Sequence, residues 1–174
     1  GGFNVIKYSR KNIGVKPLKI QASKRKKIFK NSLIVFSGIQ RKADPIEKDK
    51  QKNIIKNYEN LSELNKITHE AKRILESNNK DFLTEIGELL NKSWYIKKKL
   101  SHMVSNSKIE KLYNFGINNG AVGGKLLGAG GGGYILFLTE NEKKQKKLIK
   151  SLKNKVHFRI AGNETGSEII YKSF

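Results

Sequence analysis

The residues of this chain that are best suited to chemistry are the glycines of Gly123-Gly-Lys-Leu-Leu-Gly-Ala-Gly-Gly-Gly-Gly133, which the apolar run Tyr134-Ile-Leu-Phe-Leu138 follows. Glycine admits positive φ and carries no side chain, so backbone amides can converge on an anion or another main chain can approach closely. A flexible linker would have polar flanks, whereas leucines precede the last six residues and strand formers follow them. Composition therefore leaves two interpretations open, a loop that faces a phosphate and a tight packing turn.

Familiar nucleotide and metal motifs do not fit the chain. A Walker A loop requires lysine and then serine or threonine directly after its last glycine, whereas Tyr134 follows Gly133. A dinucleotide-binding fingerprint requires a helix after its glycines, and the residues that follow here predict a strand. The histidines His69, His102 and His157 are isolated in sequence, so they predict no metal site.

The composition is strongly basic, with a formal net charge of +21 over 174 residues. Taken alone, this charge indicates an acidic partner such as nucleic acid. However, lysine supplies 31 of the 36 basic residues and is spread along the chain, whereas specific nucleic-acid readers favour the arginine fork. We therefore interpret the lysines as solvated helix faces, and a nucleic-acid or polyanion binding module is the alternative function.

Length and cysteine content bound the class of protein. The chain has the size of one domain with a substantial core. It contains no cysteine, which excludes disulfides and thiolate metal sites and fits a reducing cytoplasm. No apolar run approaches the roughly 20 residues of a membrane span, so we expect a cytoplasmic protein with no membrane partner.

Strands are predicted towards both ends of the chain, over residues 3–8, 15–20, 32–37, 134–139, 156–161 and 167–171. The first two and the last two of these strands are each predicted to form a hairpin. The basic residues 23–30 are interpreted as a link without regular structure.

Helices are predicted in between, over residues 44–58, about 64–75, about 82–100, 107–119 and 142–153. Asp44 is the expected N-cap of the first, which its charged middle makes peripheral, and Ser107 is the expected N-cap of the fourth. Trp94 and Tyr95 are predicted to be packing residues and not ligand contacts. Lys97, Lys98 and Lys99 are explained by the dipole at the end of their helix. The fold class is α+β, a mostly antiparallel sheet with helices packed on one face.

The glycine segment and the strand after it resemble the third, C-terminal motif of the GHMP kinases, named after galacto-, homoserine, mevalonate and phosphomevalonate kinases. Within that superfamily the chain most resembles the D-glycero-D-manno-heptose 7-phosphate kinases. The further matching segments are Gly1-Gly-Phe-Asn4, Phe36-Ser-Gly-Ile-Gln-Arg41, Gly87-Glu-Leu-Leu-Asn-Lys-Ser-Trp-Tyr-Ile-Lys-Lys-Lys-Leu-Ser101, Ile109-Glu-Lys-Leu-Tyr113 and Gly120-Ala-Val-Gly-Gly124. Each segment is weak alone, but their order is specific.

The resemblance implies that part of the enzyme lies upstream of Gly1. Enzymes of this family carry a phosphate loop of the type Pro-x-x-x-Gly-Leu-Ser-Ser and a catalytic aspartate in an Asp-Gln segment, and neither motif occurs here. Asp44, Asp49 and Asp81 have structural explanations, so no residue of this chain is assigned a catalytic role. Residues 1–22 are then the end of an N-terminal kinase domain, as a strand hairpin, and residues 23–174 are the C-terminal domain.

The implied activity is ATP-dependent phosphorylation of the anomeric hydroxyl of a heptose 7-phosphate, for nucleotide-heptose and surface-glycan synthesis. ATP and Mg²⁺ would be held mainly by the missing N-terminal half, the partner that completes the site, and the chain alone is expected to be inactive. The resemblance assigns sugar-phosphate or nucleotide-phosphate contacts to eight residues: Gly128, Ala129, Gly130, Gly131, Gly132, Gly133, Lys125 and Arg41.

For two of these residues a structural explanation is equally open. Arg41 corresponds to an arginine in the family's Gly-x-x-Arg segment and could clamp a phosphate, or it could be a surface residue before a helix. Lys125 alternates with the buried Leu126 and could simply point to solvent. A side chain at Gly130 or Gly131 is expected to block the approach of the substrate.

Overall fold

The computed structural model of the chain describes residues 2–160 and residue 171. The elements follow one another as β1 (Asn4–Tyr8), β2 (Ile13–Pro17), α1 (Ala22–Asn31), β3 (Ser32–Phe36), α2 (Asp44–Lys52), α3 (Tyr58–Glu76), α4 (Phe82–Lys99), α5 (Ser107–Asn118), β4 (Gly123–Leu126), β5 (Tyr134–Leu138), α6 (Glu142–Leu152) and β6 (His157–Arg159). Of the described helices, none is long and apolar enough to span a bilayer.

Strands β4, β5, β3 and β6 lie side by side in that order, and every neighbouring pair is antiparallel. Strands β1 and β2 form a separate antiparallel pair. The predicted α+β class, with a mostly antiparallel sheet and a preceding strand pair, is confirmed. The predicted last strand, residues 167–171, lies outside the described residues except for residue 171.

The alternation of side chains along β3 and β5 divides the sheet into two faces. Leu33, Val35, Ile135 and Phe137 are fully buried on one face. Helices α2, α4, α5 and α6 supply six further members of this core, Ile46, Trp94, Ile109, Leu112, Leu148 and Leu152. On the opposite face Ile34 and Phe36 are only partly buried, and the cleft described below opens there.

A second core lies between α3 and α4 and follows the predicted apolar stripes of these helices. Trp94 is buried, as predicted. The prediction for Tyr95 is wrong, because this residue is 60 % exposed and the Lys99 ammonium lies 4.4 Å from its ring centre.

The basic segment predicted as a link is instead helix α1. Lysine is a good helix former, and the charge of the segment obscured its inward face. Lys24 is buried and its Nζ donates to the carbonyls of Ile74 and Ser77, at 2.8 and 2.7 Å, at the end of α3. Burial lowers the pKa of Lys24.

Two predicted helix starts are displaced, and one helix is split. Ala43, not Asp44, occupies the N-cap of α2, and α2 ends at Lys52, so Tyr58 begins a different helix. Helix α2 is not peripheral either, since Ile46 is fully buried. Asn106, one residue before Ser107, caps α5, and its Oδ1 accepts hydrogen bonds from two backbone amides at 3.1 Å.

Strand β4 was not predicted, because its two glycines are close in sequence to those of the segment that follows. Helix α4 runs along this strand. The Asn91 side chain donates to the Val122 carbonyl and accepts from the Gly124 amide, both at 3.0 Å. At Gly123 an added Cβ would overlap the backbone of Gly87 in α4. This contact fixes the point from which the glycine-rich connection to β5 departs.

Candidate phosphate-facing loop

Residues 127–133, here called the glycine loop, connect β4 to β5. Gly128, Gly130, Gly131 and Gly133 have φ values of +65°, +119°, +72° and +88°. Residues with side chains rarely adopt this region, so glycine is required by the path of the backbone. Both ends of the loop are held, since the Leu127 amide donates to the Tyr134 carbonyl at 2.9 Å and the Ser37 amide donates to the Gly133 carbonyl at 2.8 Å.

The middle of the loop packs against the protein itself. A Cβ at Gly130 would lie 2.8 Å from the Val104 Cα, and one at Gly131 would lie 2.8 Å from the Ile46 side chain. A side chain at either position would therefore collide with the interior first, and its blocking of a substrate stays a prediction. A Cβ at Gly128 or Gly133, in contrast, would meet nothing within 4 Å. The packing interpretation therefore fits Gly130 and Gly131, whereas Gly128 and Gly133 border open space and leave the phosphate-facing interpretation open.

The amides of the loop fall into two groups. Those of Gly131 and Gly133 donate to the carbonyls of Val104 and Ile39, at 2.7 and 2.8 Å. Within the part of the chain that the structure describes, four amides find no acceptor, those of Gly128, Ala129, Gly130 and Gly132. Backbone amides of this kind are good donors to phosphate oxygens.

A cleft of about 710 Å³ opens beside the loop. Gly128, Ala129, Gly130, Gly132 and Gly133 line it, and so does Arg41 from the connection between β3 and α2. The structure therefore brings the predicted arginine to the predicted glycines. The Arg41 side chain also rests on the loop, because its Cδ lies 2.9 Å from the position of a Cβ on Gly131.

The rest of the cleft is largely apolar. Phe36 and Tyr134 lie with ring centres 5.1 Å apart, and Tyr134 and Phe158 lie 6.2 Å apart. All three side chains line the cleft together with Ile34 and Ile39. A mostly apolar wall with a few convergent polar groups is typical of small-molecule sites.

Lys125, the remaining predicted site residue, does not line this cleft. It lies beside residues of α3 and α4 in a separate pocket of about 310 Å³. Burial lowers the pKa of its ammonium group. Its predicted exposure to solvent is therefore only partial.

Lys97 is a residue of the site that the sequence analysis missed. It is buried, and its Nζ donates to the Leu126 carbonyl at 3.0 Å and to the Gly128 carbonyl at 2.6 Å. Burial lowers its pKa to about 8, and the charges of Lys125 and Lys50 act in the same direction. The available signal was its position four residues after Ser93, on the predicted apolar stripe of α4. The helix dipole offered a sufficient explanation for a lysine at this position, so its burial was not predicted.

Residues 74–157 match the protein family described as GHMP kinases C terminal. D-glycero-alpha-D-manno-heptose 7-phosphate kinase of Campylobacter jejuni is 34 % identical over 154 residues, which are 88 % of this chain and 45 % of that protein. The mevalonate kinase structure from Methanococcus jannaschii is 28 % identical with a TM-score of 0.64, and the match covers 86 % of this chain and 45 % of that one.

The fold alone is also shared with L. major mevalonate kinase in complex with R-mevalonate, at 21 % identity and a TM-score of 0.71, over 88 % of this chain and 45 % of that one. The chain thus spans less than half the length of the relatives it matches. Its sequence match and its architecture together show that the chain carries a GHMP kinase C-terminal domain.

Proposed function

We propose that the chain is the C-terminal part of an ATP-dependent kinase that phosphorylates the anomeric hydroxyl of a heptose 7-phosphate in the cytoplasm, for surface-glycan synthesis. The observation that carries this proposal is that one cleft is lined by Arg41 and by four loop residues whose amides find no acceptor within the described residues. The name of the C. jejuni relative supports the choice of sugar phosphate.

In this proposal the chain positions phosphate groups and does not supply the base. Phosphoryl transfer depends mainly on alignment and on neutralising charge spread over the phosphate oxygens. The amides of Gly128, Ala129, Gly130 and Gly132 donate to those oxygens. Arg41, as a planar fork, binds a phosphate at the rim, and the aromatic wall shields the reacting groups from water.

The cleft fits a phosphate better than a metal ion. Its lining offers amides and a guanidinium, and no carboxylate lines it within the described residues. We therefore assign Mg²⁺, which neutralises the charge of ATP during transfer, to ligands outside this cleft, in the N-terminal half of the enzyme.

The hairpin of β1 and β2 supports a boundary near residue 22. Ile6, Tyr8, Ile13 and Val15 of these strands are half exposed or more. We propose that residues 1–22 close the sheet of an N-terminal domain, while residues 23–174 form the C-terminal domain. The ring of Phe3, 5.5 Å from that of Phe29 in α1, ties the hairpin to this second part.

The test compares turnover by the protein that the complete open reading frame encodes with turnover by the 174-residue chain. With ATP, Mg²⁺ and D-glycero-D-manno-heptose 7-phosphate, the complete protein should release ADP and the chain alone should not. ADP release by the chain alone would refute the proposed location of the catalytic groups. Preference for another sugar phosphate would refute the substrate.

A polyanion-binding function makes a different prediction in the same preparation. Binding of the chain to single- or double-stranded nucleic acid should then be tight and fall steeply with added salt. Indifference to nucleic acid at low salt would eliminate that alternative.

A further inference from the structure

The carbonyl groups of the glycine loop are bound by two lysines from different helices. Lys97 of α4 donates to the Leu126 and Gly128 carbonyls at 3.0 and 2.6 Å. Lys50 of α2 donates to the next carbonyl, that of Ala129, at 3.2 Å. Two consecutive carbonyls of the loop are thus each held by an ammonium group.

These bonds govern the direction of the free amides. The two ends of a peptide unit point in opposite directions, so a carbonyl fixed towards the helices directs the following amide away from them. The carbonyls of Gly128 and Ala129 precede the amides of Ala129 and Gly130, both of which lack an acceptor within the described residues. The hydrogen bonds that fix these two carbonyls therefore also fix the direction of the two amides that follow them.

Both lysines stand on anchored helices. Ile46, one turn before Lys50, is fully buried, and so is Trp94, three residues before Lys97. The Lys50 ammonium also pairs with Glu47 at 2.6 Å, which limits the freedom of its side chain. The two donors are thereby fixed before any ligand arrives.

The charge around Lys97 favours an anion. The charged groups that act on it are Lys125 from β4 and Lys50 and Glu47 from α2. Within the described residues no carboxylate lies within ion-pair distance of its Nζ. A buried charge without a counter-ion is costly. An anion in the adjoining cleft would offset this cost.

We propose that Lys50 and Lys97 are positioning residues, which keep the carbonyls of Gly128 and Ala129 turned towards the helices so that the loop presents its amides to a phosphate group in the cleft. This inference rests on the proposed function for the presence of a phosphate. It goes further by assigning the shape of the loop to two residues outside it.

The experiment measures the dissociation constant of inorganic pyrophosphate for the 174-residue chain and three variants by calorimetry at pH 7. Lys97→Met and Lys50→Met keep the length of the side chain and remove the donor. Lys99→Met, on the exposed ring of Tyr95, removes the same charge without touching the loop. We expect K97M and K50M to weaken binding by about tenfold, as for the loss of a charge-assisted bond, and K99M by less than about twofold.

Carbon-13 shifts of the loop carbonyls separate shape from charge without any ligand. The Gly128 carbonyl should shift in K97M and the Ala129 carbonyl in K50M, while K99M leaves both unchanged. If K97M and K50M bind pyrophosphate as tightly as K99M, or if the wild-type chain does not bind it, the inference is wrong. Turnover of the complete protein tests the proposed kinase activity independently of this result.

Should K97M not fold, K50M and a titration of the wild-type Lys97 amine by nitrogen-15 NMR carry the test. Pyrophosphate should raise the pKa of Lys97 above its value in the free chain, since a nearby anion favours the charged form. An unchanged pKa with pyrophosphate bound would overturn the inference.

Discussion

Glycines serve opposite purposes in two neighbouring regions of this chain. At the contact between α4 and β4, called here the glycine junction, Gly87 and Gly123 let two backbones touch, and neither has a positive φ. In the glycine loop, four of the glycines have a positive φ, and two of these, Gly128 and Gly133, border open space. The junction therefore needs the small volume of glycine, whereas the loop also needs its backbone freedom and its exposed amides.

The difference separates stability from function. No space is available for a side chain at the junction, so a substitution there should lower the free energy of unfolding. A side chain at the open positions of the loop strains the backbone but displaces no neighbour, so its main cost should appear in binding. Gly130, Gly131 and Gly132 lie between these cases, because they belong to the loop yet pack on the interior.

The largest effect is expected at the junction. Gly123→Ala places a Cβ on the Gly87 backbone, which side-chain movement cannot relieve. We expect a loss of about 3–5 kcal/mol in the free energy of unfolding, or no folded protein at all. Urea unfolding measures it.

Gly14→Ala is the matched control for that change. Gly14 is also in a strand, but a Cβ there would lie 4.0 Å from the nearest atom, the Lys7 carbonyl oxygen. Its unfolding free energy should change by less than about 0.5 kcal/mol. Equal effects of G123A and G14A would contradict the close contact between α4 and β4.

The next largest effect on stability is expected at Gly131, and Gly128 in the same loop provides the comparison. Gly131→Ala combines a strained φ of +72° with contacts of 2.8 Å to Ile46 and 2.9 Å to Arg41, whereas Gly128→Ala at +65° has strain alone. We expect the free energy of unfolding to fall by about 3 kcal/mol in G131A and by about 1 kcal/mol in G128A. G128A should nevertheless weaken pyrophosphate binding, because its Cβ projects beside the unpaired amides. Similar losses of stability would remove the distinction between packed and open glycines.

The sequence predicted much of this arrangement, but it could not divide the glycines between the two roles. Periodicity located the core stripes of α3 and α4, and the strand formers located β3 and β5. Glycine has no side chain to show its surroundings, so β4 was merged with the loop and the packing of Gly130 and Gly131 was not foreseen. These contacts come from Val104 and Ile46, which are distant in sequence.

The number of lysines likewise gave no sign in the sequence of which of them are buried. Segment 23–30 was read as a link and Lys97 as a helix-end charge, because lysine is usually solvated. In the structure Lys24 and Lys97 are buried, and each caps backbone carbonyls of a distant element. A count of lysines cannot reveal which few of them are buried. For Lys97, its position on the apolar stripe of α4 was the one sequence signal of burial.

The ionisation of Lys97 gives a smaller, pH-dependent effect on stability. Its folded pKa of about 8 lies below the ordinary value of 10.5, so between these values the unfolded chain binds more protons. The free energy of unfolding should therefore rise with pH in this range, by about 2 kcal/mol between pH 8 and pH 10. Below about pH 7, where Lys97 is charged in both states, this contribution should be flat.

Urea unfolding of wild type, K97M and K99M over this pH range isolates the contribution. The difference between wild type and K97M should grow in favour of wild type as the pH rises, because only wild type is relieved of a buried charge. K99M should run parallel to wild type. A constant difference between wild type and K97M would mean that the pKa of Lys97 is not lowered by burial.

The smallest effect on stability is expected at the rim of the cleft. Arg41 is exposed and rests on the loop through its aliphatic stem, so Arg41→Gln should change the free energy of unfolding by less than about 0.5 kcal/mol. If the guanidinium clamps a phosphate, the same change should weaken pyrophosphate binding by about tenfold. Arg73→Gln, at an exposed position near the end of α3 that does not line the cleft, removes the same charge and should bind as wild type does. Equal binding by R41Q and R73Q would leave the amides as the recognition element and reduce Arg41 to a packing residue of the loop.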